Sequence, residues 1–469
     1  MRLSHIRATD VLVLLGHALF AGLFILAYIH FRERVIHVDS ALQIFKWVQK
    51  PGVEVEAYRY SAVFPQLLVK LAKGLGFGLE GLLRIASLGH VLVGYIIFLL
   101  AAHLWRVGWV AAAAVLATVL CTRLTFYGIV LEANYLISYP FLLAAVLEGP
   151  AQNARTWPTW CLLFFALALV LLVHPVGFLI ALFVLAFFYF ARPTLRPEVM
   201  VLGGVSILWG VLGRKLLPPS GYESDLYAAT LEGAQRLGDL GNMPSMEFLL
   251  GHSWGYTTHY LPAWILLATA LVLLAMQRAW TLFALTLAGT LGYTLLNVLT
   301  YHAGEVAVMM EKNFLPMATL IALPLLFAVS QRSARWQAWA VLPFLVVVFV
   351  QFRSISFAAR PAHARYAAIE ELVQEIRAAQ LHKVVLSEND IQGRGIGVVW
   401  ALPFETLLSA SLQGPLQGVS AVLPDAPFDM SNTGVYLAPW NTNLPTEDLD
   451  PRYFQLPPGP YSHFSGSLP

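Results

Sequence analysis

Residues 11–45 read VLVLLGHALFAGLFILAYIHFRERVIHVDSALQIF. An apolar run of about twenty residues, long enough to cross a hydrocarbon core, gives way abruptly to arginines and an acid. The segment before it, MRLSHIRATD, carries Arg2 and Arg7. It resembles a secretory leader, but no small-residue cleavage site precedes Arg32, so the run reads as an anchor. Outward from here the pattern repeats. Further apolar segments lie at 81–105, 107–124, 127–147, 157–173, 175–191, 199–217, 260–277, 280–300, 313–330 and 337–352, giving about eleven spans. Arg106, Arg155, Arg192 with Arg196, Arg278, and Arg332 with Arg335 occupy every second connection. Short loops rich in Lys or Arg stay cytoplasmic. The N-terminus is therefore expected inside, and everything after Gln351 outside.

Composition agrees with a polytopic membrane protein. Hydrophobic residues make up 58% and charged residues 12% of 469, against about 25% charged in a soluble domain. A net charge of +2 with no basic block argues against nucleic acid as a partner. Cys121 and Cys161 fall in apolar segments near opposite expected faces, and neither has metal-ligand neighbours.

Two expected outer loops are long. In the first, 32–80, Phe64, Leu67, Leu68, Leu71 and Leu75 recur at helical spacing with Lys70 and Lys73 opposite, the pattern of a helix lying in the membrane interface. The second, 218–259, lacks periodicity and reads as a mobile loop covering a substrate. From 358 onward the chain changes character. A helix over 359–380, strands at 383–387 and 418–424 and a helix between them predict a small α/β extracytoplasmic domain over 358–469, with an irregular tail from Ala438. The transmembrane domain occupies 1–357.

The acids and histidines set close to apolar segments gather on the expected outer side. Asp39 leads: leaving the bilayer directly after the first span, its carboxylate can take a proton from an acceptor, although Asp39-Ser40 also suits a helix N-terminus. Glu132 sits within or at the broken outer end of a span, where an ionisable group faces a cavity or a partner; Arg123 or another outer cation would satisfy it. His174, in LVLLVHPVGFLI, is a turn residue or a ligand. Arg59 can grip a phosphate bidentately or touch headgroups. Lys312 can neutralise a phosphate or pair with Glu311, and His302 and Glu305 stand nearby in sequence. No metal signature occurs, so a divalent cation would need carboxylates from separate loops, such as Asp39 and Glu132. GRGIG (393–397) has no strand before it in a βαβ setting and is a loop.

A first span followed by an outer Asp, an interfacial helix in the first outer loop and a second acid in the next resembles the GT-C superfamily of membrane glycosyltransferases. Bacterial protein O-mannosyltransferases and the lipid A aminoarabinose transferase are similar in arrangement. The resemblance is carried by Asp39-Ser40, Arg59-Tyr60-Ser61, Trp400 and Glu405–Ser409, and by topology over 10–350. It implies a GT-C-like helical fold in a bacterial inner membrane. It also implies a sugar donor on a polyprenyl phosphate and a lipid, glycan or protein acceptor, with Asp39 at the catalytic position and Glu132 at the second acidic position. Asp-Ser stands where several relatives have paired acids. A transporter would show symmetry between halves and broken mid-membrane segments, and none is visible; a non-catalytic subunit of an assembly would keep the fold with an altered site.

Overall fold

The computed structural model describes residues 8–56, 58–129, 132–153, 156–217, 220–424, 434–438 and 443–464. Arg2, Arg7 and Arg155, from the arginine pattern, lie outside them. Among the described residues, six helices are long and apolar enough to cross a membrane: Ala8–Ile29, Leu79–Leu104, Pro193–Gly213, Trp280–Thr300, Ala307–Ser330 and Ala334–Ala378. Shorter apolar helices run over Gly108–Val119, Trp157–Leu171, Gly177–Ala191 and Leu261–Met276. The chain is a helical membrane protein, with fewer full-length helices than the eleven segments of apolar sequence.

The centre of the bundle is Met317–Ser330 packed on Gly108–Val119. The second of these contains AAAAVLA (111–117), whose side chains are all buried. Small residues let helix backbones approach closely where lipid offers no hydrophobic drive. Arginines at one end of the bundle are tied locally. Arg192 forks onto Glu148, with Nε 3.0 Å from Oε2 and Nη2 2.6 Å from Oε1, and lies over the Phe327 ring.

The expected span over 127–147 is not one helix. Short 3-10 turns cover Leu124–Tyr127 and Glu132–Ile137, and only Tyr139–Glu148 is α-helical. Ten residues rise about 15 Å, half of a bilayer core. Irregular backbone survives at such depth only when buried in protein with its polar groups satisfied. Here the Asn134 amide donates to the Gly128 carbonyl at 3.1 Å and the Thr319 hydroxyl to that of Leu136 at 2.8 Å, while the Tyr139 hydroxyl ties the segment to the Ser61 carbonyl at 2.7 Å.

The first long loop contains two helices. Val38–Gln49 is almost wholly buried. Phe64–Gly74 buries Pro65, Gln66, Val69 and Ala72 and exposes Phe64, Leu67 and Leu71. Its lysines are not a solvated face. Lys70 Nζ donates to the carbonyls of Trp47 (2.7 Å) and Lys50 (2.6 Å), and Lys73 Nζ to that of Val48, so both cap the C-terminal end of Val38–Gln49. Periodicity separated the two faces correctly but could not see a neighbouring helix end.

The second loop is also ordered, as Gly221–Gln235, a 3-10 segment over Leu237–Asn242, and Pro244–Leu250. Ser220 and Glu223 form a capping box at the start of the first. The lack of periodicity over 218–259 hid that Ser-x-x-Glu helix start.

The last span continues without a break into the segment read as a soluble helix, forming Ala334–Ala378. Beyond it, Lys383–Val385 pairs in parallel with Ser420–Val422 on one side and Ser462–His463 on the other, with Leu402–Ser411 packed against them. This small α/β unit is joined to the first loop by an aromatic cluster in which Phe45 meets Phe404, Tyr436 and Phe454 at ring separations of 5.3–5.6 Å.

Candidate functional site

Several separate elements bring the charges together. The chain leaves Ala8–Ile29, makes one helical turn over Phe31–Val35, and restarts at Val38 with φ +39°. A β-branched residue at positive φ is a steric outlier. It directs Asp39, in the first turn of Val38–Gln49, toward the cluster. Tyr58, with φ +60°, similarly precedes Arg59. Strain of this kind costs on the order of 1–3 kcal/mol per residue and collects at functional sites. The connection between Trp157–Leu171 and Gly177–Ala191 brings in His174. Gly177 is needed there, since a Cβ would sit 2.0 Å from the Val170 carbonyl oxygen.

Arg59 is the hub. Its Nη1 lies 2.7 Å from Glu132 Oε2 and its Nη2 3.4 Å from Glu223 Oε1. Burial works against its charge, but the two carboxylates outweigh that and raise its pKa above the ordinary guanidinium value. Its Nε–H is buried and has no partner among the described residues. Glu132 therefore pairs with Arg59 and not with Arg123. Glu223 escaped the sequence reading although its capping-box spacing was there to be read.

Asp39 faces this pair and Lys312. Burial pushes its carboxyl up to about 6, against Lys312 and Arg59, which favour the charged form; Glu132 and Glu305 add to the rise. Part of its surface remains open, and no side chain among the described residues ion-pairs with it directly. Its carboxylate is thus held near charges but unspent. His174 accepts from the Val176 N–H at Nδ1 (3.3 Å). Burial, then Arg59 and Lys312, keep it well below its ordinary pKa. The neutral ring therefore carries its proton on Nε2 and offers a donor.

Beside the hub lies a cavity of about 150 Å³, lined by Arg59, His174 and Glu223 on one side and by Tyr58, Trp209 and Tyr227 on the other. Asp39 does not line it. The Arg196–Leu216 helix, which supplies Trp209, exposes Leu208, Leu212 and Leu216.

The remaining sequence candidates lie elsewhere. Glu311 Oε1 accepts from the backbone N–H of Arg123 (2.7 Å) and Thr125 (2.9 Å) and from the Thr125 hydroxyl (2.8 Å), so it braces the broken segment. It points away from the Asp39 side that its neighbour Lys312 faces, because adjacent helical residues point about 100° apart. Glu311→Ala would strand three buried donors and is expected to cost about 2 kcal/mol or more, read as a lower melting temperature in detergent. His302 contacts the Leu299 carbonyl and Glu232, fixing Gly221–Gln235 to Trp280–Thr300. Among the described residues, no three His, Cys, Asp or Glu side chains are grouped to hold a metal ion, and the Glu132 carboxylate is engaged by Arg59.

Comparison with protein-family models, with curated proteins and with solved structures finds no match. The class that fold and site define is a helical membrane protein with a charged pocket where several connections converge.

Proposed function

We propose that the chain is a membrane glycosyltransferase that moves a sugar from a polyprenyl-phosphate donor to an acceptor at the extracytoplasmic face of a bacterial inner membrane, its N-terminus in the cytoplasm and its C-terminal unit outside. The observation that carries this reading is the unspent, half-buried Asp39 carboxyl beside Lys312 and the Arg59 hub. In the reaction the acceptor oxygen attacks the anomeric carbon and the carbon–oxygen bond to phosphate breaks. Asp39 takes the acceptor proton, and polyprenyl phosphate leaves with the bonding electron pair. Lys312, the Arg59 Nε–H and the His174 Nε2–H are the donors suited to the departing phosphate. Glu132 holds Arg59 in place. The apolar flank beside Trp209 suits an isoprenoid chain arriving sideways from the bilayer.

A base must be deprotonated to act. Rate is therefore expected to rise with pH through about 6, the value to which burial brings Asp39, and to fall away below it. The test is to incubate purified protein with polyprenyl-phosphate sugars and follow release of polyprenyl phosphate by mass spectrometry across that range. Folded protein that consumes no such donor overturns the reading.

A further inference from the structure

The first turn of Val38–Gln49 lacks a local cap: His37 occupies the cap position and its side chain makes no capping bond. The Val38 N–H, one of the four donors a helix start leaves free, instead donates to Glu405 Oε1 at 2.7 Å. Glu405 is fully buried in Leu402–Ser411 of the C-terminal unit. It is clamped by Arg365, whose Nη1 meets Oε1 and whose Nη2 lies 3.0 Å from Oε2. Arg365 is itself fixed, donating from Nε to Ile396 (3.1 Å) and from Nη2 to Val398 (2.9 Å). The acceptor that holds a strained peptide next to Asp39 is therefore rigid, charged and supplied from 367 residues away.

We infer that Glu405 is the positioning residue for Asp39, by which the C-terminal unit holds the candidate base toward Lys312 and Arg59. This role rests on the reading of Asp39 as the working carboxylate. The Glu405 bond ties down the Val38 N–H against relaxation of Val38 to negative φ. Without that bond the peptide would turn and carry Asp39 away from Lys312, Arg59, Glu132 and Glu305 toward solvent. The bond also places negative charge at a helix N-terminus, where the helix dipole favours it. A bond serving only to join the two parts would not require a β-branched residue at positive φ. The aromatic packing of Phe45 on Phe404 and Tyr436 already joins them.

The test needs no sugar donor, so its outcome is separable from that of the transfer assay. A lipophilic carbodiimide modifies protonated carboxyls in apolar surroundings, and the pH midpoint of Asp39 labelling, read by peptide mass spectrometry, reports its setting. Facing Asp39 are Lys312, Glu132, Arg59 and Glu305, with His37 and Arg365 on the Glu405 side. Glu405→Ala is expected to lower the midpoint by about one pH unit as the carboxyl gains solvent. Glu405→Gln keeps an acceptor oxygen for Val38 and is expected to restore the native midpoint. An unmoved midpoint in folded Glu405→Ala protein refutes the inference. If that variant does not fold, hydrogen exchange at the Val38 amide of the native protein decides: slow exchange is required, and fast exchange in an otherwise protected helix overturns the role.

Discussion

Asp39→Asn is expected to lower sugar transfer about a thousandfold, the scale of a lost general base, while leaving the protein at least as stable as the native chain. The two halves of that expectation have one cause. A carboxyl whose folded pKa is raised above its unfolded value is favoured by the fold in its protonated form. Its contribution is therefore fully present at low pH, and it is lost as pH rises from the ordinary carboxylate range through about 6. At neutral pH the ionised Asp39 weakens the fold, and the neutral amide removes that penalty. Transfer rate and melting temperature measured on one preparation check both. Unchanged transfer would remove Asp39 from the reaction. A sharp drop in melting temperature would show instead that its charge holds the helix start.

Arg59→Met is expected to destabilise the protein by about 3–5 kcal/mol, the cost of stripping the partner from a buried ion pair. Glu132 and Glu223, both buried, would be left facing each other without a cation. Adding Glu132→Gln to Arg59→Met should recover part of the loss, because it neutralises one of the stranded charges. A double-mutant cycle on denaturation midpoints measures the coupling. Additive losses would mean that Arg59 is held by something other than these carboxylates. Transfer should fail in both the single and the double variant, since neither regains a donor for phosphate, and that separates binding of the leaving group from stability of the fold.

Both expectations concern residues that were visible in the sequence, but for different reasons. Asp39 stands out because an acid directly after an apolar run marks a boundary. Glu132 and His174 stand out because ionisable side chains are costly inside apolar segments. Their convergence was inferred from the alternation of arginines, which assigns connections to faces without coordinates. Glu311 and Lys312 show where that reasoning stops. They are adjacent in sequence, yet one braces a backbone turn and the other faces Asp39, and only the rotation of a helix separates them.

The apolar runs determined from sequence alone that the chain is a helical membrane protein, because transfer free energy is additive along a chain. Tertiary structure decided what is not additive. The 127–147 segment breaks where Asn134 and Thr319 satisfy its freed backbone carbonyls, and Tyr139 ties it to Ser61 in the first long loop. Lys70 and Lys73 turn inward because a helix end offers them carbonyls. Glu223 and Glu405, far from Arg59 and Val38 in sequence, become their partners because charge and hydrogen bonding act across space, and no local pattern records which distant group will arrive.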